Sequence, residues 1–209
     1  HDGFFDPTQQ YFQIAANASN RMEIMDTVSR KGVASIETGK KPHPGPGANW
    51  VDPQCGPVGG TVHRGEGRVT TWGNDPKGHP DQAWKICKQI ETDGPGLFIR
   101  THPNSPYVFA DQTLHPEPEI QQSIKVLDKK TGKVVKTIRV TEVEKAVATH
   151  SEFNKDGTEV WVSVWARGGK KDWLKGEIVV YDAKTLEEIA RIKNLETPTG
   201  KFNVYNRVH

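Results

Sequence analysis

Three histidines stand where a repeated β structure would gather chemistry. They are His63 in TVHRGEG, His102 in RTHPNS and His150 in ATHSEF, spaced 39 and 48 residues apart. Imidazole titrates near neutral pH, so such a group can hold an anion, donate a proton or remove one. Spaced by about one structural repeat, the three are expected to sit at related stations around an axis and converge on one central ligand. The other histidines read differently. His43 in KPHPGPGANW precedes two Pro-Gly steps and is expected in a loop, while His79 and His115, each followed by proline, read as rim turns.

Other chemistries lack their residues. Cys55 and Cys87 form no Cys-x-x-Cys pair, which excludes a sequence-evident zinc site and a c-type haem attachment within this chain. Their spacing leaves a disulfide and two free thiols both open. No Gly-x-Ser-x-Gly elbow and no phosphate loop occurs. Asn-Lys-Asp-Gly (154–157) lacks the later glutamate of a calcium loop and reads as a tight turn. A net charge of +2, with lysines scattered among carboxylates, gives no footprint for nucleic acid. No run of about 18 apolar residues is present to span a membrane.

The elements that must position the histidines repeat four times. With 20 Gly and 14 Pro among 209 residues and only 34% apolar residues, the chain suits short strands between many turns. The first copy holds YFQIAA (11–16), MEIMD (22–26) and VASIE (33–37), and the second RVTTW (68–72) and WKICKQI (84–90). The third holds YVFAD (107–111), SIKVLD (123–128) and VVKTIRV (134–140), and the fourth EVWVSVW (159–165), EIVVYD (177–182) and EEIARIK (187–193). Turn openers Asp6, Asp52, His102 and Asn154 recur at intervals near 50, as do Asp26, Asn74, Asp128 and Asp182 further out. A period of about 40–50 residues with about four strands each is the signature of propeller blades. The expected fold is all-β: a β-propeller with about four blades, residues 1–209 forming part of one domain.

Four segments also resemble a known family. HPGPGANWVDPQCGPV (43–58), THPNSPYVFAD (101–111), EFNKDGTEVWVSVW (152–165) and TPTGKFNVYN (197–206) are similar to the C-terminal half of the d1-haem propeller of cytochrome cd1-type nitrite reductases and their close relatives. The resemblance implies about four blades of an eight-bladed propeller with haem d1 and its iron in the channel. It implies reduction of nitrite to nitric oxide in the periplasm, with electrons from a c-type cytochrome. By motif, His63 and His102 match the distal pair of proton donors, and His150, Thr199 and Gly200 join them as cofactor-binding residues. No metal ligand is expected in this chain. The proximal iron ligand, the c-type haem and the first blades are expected in the missing N-terminal part, and a homodimer is compatible with the family.

The departures bear on which member of the family this is. Pro46 stands where the reductases have Arg, Arg64 where they have an apolar residue, and His150 where they have Gln. The Asn-Lys-Asp-Gly turn is expected to aim residue 150 at the distal haem face. A third distal histidine resembles the relatives that dehydrogenate a d1 precursor, which is the competing enzyme reading. From another class, a haem-free propeller would serve as an interaction scaffold and would need neither His63 nor His102.

Overall fold

The computed structural model describes residues 2–166 and 175–196. These residues form four antiparallel four-stranded sheets, each a simple meander. The first is β1 (Gly3–Phe5), β2 (Tyr11–Ala16), β3 (Arg21–Asp26) and β4 (Lys31–Glu37). The second is β5 (Pro42–Asp52), β6 (Gly56–His63), β7 (Arg68–Gly73) and β8 (Ile86–Glu91). The third is β9 (Ile99–Thr101), β10 (Tyr107–Asp111), β11 (Ser123–Asp128) and β12 (Val134–Arg139), with a single helical turn α1 (Pro118–Gln121) before β11. The fourth is β13 (Ala146–Phe153), β14 (Glu159–Ala166), β15 (Gly176–Asp182) and β16 (Glu188–Leu195). Each first strand packs against the next sheet's first strand, β1 on β5, β5 on β9 and β9 on β13. The expected blades are therefore present as part of a propeller.

Sheet stacking explains the burial pattern. The apolar cores lie between blades: Phe4, Met22, Ile24 and Trp72 between the first two, Val62, Val69, Ile99 and Val108 between the next two, and Phe109, Val126, Phe153 and Val160 between the last two. A blade covered on both faces buries both sides of its strands, so β13 is buried at all eight positions instead of alternating. The outermost strands β4, β12 and β16 are mostly exposed, as sheet edges facing solvent. Two polar ties cross the blade boundaries. Trp72 Nε1 donates to Gln13 Oε1 at 2.6 Å, and Arg100 Nε donates to the buried Glu152 Oε1 at 2.8 Å.

The two sets of recurring residues have distinct structural roles. At the outer station the carboxylates of Asp26, Asp128 and Asp182 accept backbone N–H groups two or three residues on, closing the last hairpin of their blades. Asn74 departs from this by pairing with Asn49. At the inner station Asp6 and Asp52 accept N–H groups two residues on in the turn leaving each first strand, and the Asn154 amide oxygen accepts those of Thr158 and Glu159, four and five residues on. Here His102 Nδ1 takes the place of the carboxylate, accepting Asn104 N–H at 3.1 Å.

Two expectations are corrected or completed. The segment holding His43 is no loop: it is the first strand of the second blade, with a bulge between His43 and Ala48 where Gly45 and Gly47 take φ of +59° and +73°. Its glycines and prolines hide the strand in the sequence. Cys55 and Cys87 are joined as a disulfide, tying the β5–β6 turn to the outer strand β8. Among the described residues no helix is long and apolar enough to cross a membrane.

Candidate functional site

All first strands run the same way, so each blade has an entry end, where its first strand begins, and an exit end, where it leaves. His63 closes β6 at the entry end. It pairs with Pro42 at the start of β5, and its carbonyl accepts Gly96 N–H at 2.9 Å just ahead of β9. The ring is fully buried. Its Nδ1 meets the Arg68 carbonyl at 3.0 Å and, since a carbonyl only accepts, must carry the proton. The Nε2 lone pair is left buried without a hydrogen-bond partner. Burial lowers the pKa below the usual histidine value, against the Arg68 carbonyl bond that raises it.

His102 lies at the opposite pole. It lies just past the end of the three-residue strand β9, whereas Gly96 lies ahead of that strand's start. His63 and His102 bond to different segments, the first to Arg68 and Gly96 and the second to Asn104 and Lys155. Spacing by one blade period put His63 and His102 in successive blades, yet one ends a second strand and the other opens the turn after a first strand. Both His102 nitrogens are committed: Nδ1 accepts from Asn104, which leaves Nε2 to donate to the Lys155 carbonyl at 3.2 Å. The ring packs on Phe153 at 5.6 Å, and no side chain would fit at Gly157 beneath it. The Asn-Lys-Asp-Gly turn thus seats against His102 and does not aim residue 150. Burial, ahead of the nearby cations Lys129 and Arg100, lowers the His102 pKa. A cavity of about 530 Å³ opens at this pole among Asp6, Trp50, Pro103, Ser105 and Lys129. Burial pushes the Lys129 ammonium down to about 8, and Nζ donates to the His102 carbonyl.

The entry end gathers a different set. His150 sits in a β-bulge of β13 at a left-handed φ of 50°, an uncommon conformation for a residue with a side chain. Its ring lies 4.6 Å from Phe98, centroid to centroid. Phe98 also meets His43 edge-on at 6.0 Å and Trp165 at 6.2 Å. His43 bridges two segments, with Nδ1 donating to the Leu97 carbonyl at 2.6 Å and Nε2 3.0 Å from the Asp2 carboxylate. Burial lowers its pKa, with Asp2 opposing. A chain of rings, His43, Phe98, His150 and Trp165, therefore runs across three adjacent blades, with His63 beside it through Gly96. Sequence reasoning reached His63 and His150 but missed His43 and Phe98. Thr199 and Gly200 lie outside the described residues.

The arrangement can do two things chemically. The rings of His43, Phe98 and His150 form a buried, polarizable cluster, and His63 Nε2 is a buried base without a hydrogen-bond partner. A retained base beside stacked rings suits proton exchange with a flat ligand.

Comparison with known proteins agrees with the fold. The family model described as cytochrome D1 heme domain matches residues 1–207. The nitrite reductase of Stutzerimonas stutzeri is 40% identical over 225 residues, covering 100% of this chain and 40% of that protein. The dihydro-heme d1 dehydrogenase of Pseudomonas aeruginosa is 33% identical over 208 residues, covering 99% and 38%. A solved structure of dihydro-heme d1 dehydrogenase in complex with DHE matches with a TM-score of 0.78 at 32% identity, over 100% of this chain and 40% of that one. Hydrazine synthase of Kuenenia stuttgartiensis, at 14% identity over 91% and 47% and a TM-score of 0.71, shares the fold alone. The chain spans about two fifths of the length of the curated relatives it matches. Four consecutive blades, a ring-lined entry end and a match along nearly the whole chain lead to one conclusion: the chain belongs to the cytochrome D1 heme domain family.

Proposed function

We propose that this chain supplies half of a d1-haem propeller in an oxidoreductase that reduces nitrite to nitric oxide, with the entry end facing the cofactor. The observation that carries the reading is the His150 bulge stacked on Phe98, beside His43 and the unpartnered Nε2 of His63. These residues fit a flat macrocycle with polar substituents, because they offer ring faces together with one buried acceptor that lacks a donor. His43, His63 and His150 would hold it from this side. The haem, when bound, would supply the electron.

Reducing nitrite to nitric oxide consumes one electron and two protons and releases water. The protein's own task is to deliver those protons to the departing oxygen. His63 suits that task because Nδ1 stays fixed on Arg68 while Nε2 takes up and gives back a proton. His102 has both nitrogens engaged at the other pole, and we read it as a turn residue. The partners would be the missing propeller half and a c-type cytochrome donor. The Cys55–Cys87 disulfide favours an oxidising compartment such as the periplasm.

A second reading has its own observation. Dehydrogenating a haem precursor removes two electrons and two protons, so it needs bases, and His63 is held neutral by burial while His150 adds an imidazole. The test is both reactions, nitrite reduction and precursor dehydrogenation, on the full-length protein and its His150→Gln and His63→Ala variants, with haem content read by absorbance. Nitrite turnover that survives His150→Gln and falls in His63→Ala supports the reductase. Loss of precursor conversion in His150→Gln, with negligible nitrite turnover in the parent, supports the dehydrogenase. A parent that binds no d1 haem sinks both.

A further inference from the structure

Behind the ring cluster stands a carboxylate that no hairpin turn requires. Asp111 ends β10, fully buried, and makes no ion pair among the described residues. Its Oδ1 accepts Leu97 N–H at 2.7 Å and Phe98 N–H at 3.2 Å. Its Oδ2 accepts the Thr149 hydroxyl at 2.8 Å and His150 N–H at 3.1 Å. One side chain thus holds the backbone beneath Phe98 in the third blade and beneath His150 in the fourth. The fit is close: a side chain at Gly96 would collide with the Asp111 carbonyl and come within 2.8 Å of Oδ1.

The bonding pattern favours the ionised carboxylate. The three backbone N–H groups can only donate, so those three bonds need acceptor lone pairs, and the Thr149 hydroxyl can donate the fourth. An ionised carboxylate supplies them, whereas a protonated one would place an O–H against donors. Burial pushes the Asp111 pKa up, and the Leu97, Thr149, His150 and Phe98 bonds pull it back. The bulge places a residue with a side chain at left-handed φ, which persists only where its surroundings over-determine it. Asp111 is the group that does so, since it binds the amide of the bulged residue itself.

We infer that Asp111 is a positioning residue of the entry-end site: its carboxylate clamps the Phe98 and His150 backbones so that the two rings stack and His150 is presented at left-handed φ. This rests on the reading that the entry end is the functional face, but its test does not depend on haem. It assigns to a residue 39 positions away the work that the local turn was expected to do.

The experiment is NMR of the full-length protein with labelled histidine, comparing the parent with Asp111→Asn. The amide keeps the shape but offers one acceptor where two are needed. The His150 ring resonances, shifted in the parent by the Phe98 ring current, are expected to move toward those of an unstacked histidine. The His150 amide should exchange about ten-fold faster with solvent, the effect of losing one charge-assisted bond. His102 and His79, remote from the clamp, are expected to stay in place. Should Asp111→Asn fail to fold, Thr149→Val removes one Oδ2 bond and should move the same His150 signals less far in the same direction. An unmoved His150 in a folded variant, or equal movement of all histidines, would overturn the proposal. Absence of haem from every variant would count against the functional reading and leave the NMR result standing.

Discussion

His102 offers the sharpest test, because a turn residue and a general acid fail differently when removed. His102→Ala deletes a buried ring that packs on Phe153 and leaves Asn104 N–H and the Lys155 carbonyl without their partner. Two neutral, part-buried hydrogen bonds cost up to about 1 kcal/mol each, and the lost packing adds a similar amount, for about 2–3 kcal/mol in all. His102→Asn should recover about 1 kcal/mol of this, since a side-chain oxygen at that station caps the same turn in Asp6, Asp52 and Asn154. The assay is thermal unfolding of the full-length protein, with hydrogen exchange over the 102–107 and 153–158 turns and turnover per bound haem. We expect lower thermal stability, faster exchange confined to those turns, and turnover within about ten-fold of the parent. A loss of about 100-fold or more with unchanged stability, the mark of a missing general acid, would refute the turn assignment.

Further outcomes follow from the disulfide and the buried imidazoles. The Cys55–Cys87 bond closes a 32-residue separation, so the double Cys→Ala variant should lose about 3.5 kcal/mol, and equal unfolding temperatures with and without reductant would contradict this. His43, His63 and His102 all have pKa values below the ordinary one in the folded chain, so the unfolded chain takes up protons first as acidity rises. Stability should therefore be level between about pH 6.5 and the Lys129 value of about 8 and fall below pH 6.5, with Asp111 shifted in the opposing sense. Unfolding temperatures across this range check the slope, which His63→Gln should reduce; a flat profile between neutral pH and pH 5 would contradict it.

Much of the fold was legible because its signals are local. The outer three strands of most blades announce themselves through alternation and through Asp or Asn turns, where a side chain bonds its own backbone two residues on. Residues 26, 128 and 182 obey that rule in sequence and in space. The first strands carry no such signal. β9 is three residues long, β13 is buried throughout, and β5 is interrupted by Gly45, Pro46 and Gly47, so each lacks the period that marks a strand.

The site divides along the same line. The sequence alone determined that the chain repeats four times, that each repeat is a blade, and that imidazoles recur with it. It could not determine which end of a blade each imidazole occupies, because period counts blades and not position along a strand. Only the tertiary structure gathered His43, Phe98 and His150. The physical reason is that these neighbours are set by contacts between blades, made by a carboxylate at Asp111 and backbone groups at Leu97, Phe98 and His150, and no local propensity encodes them.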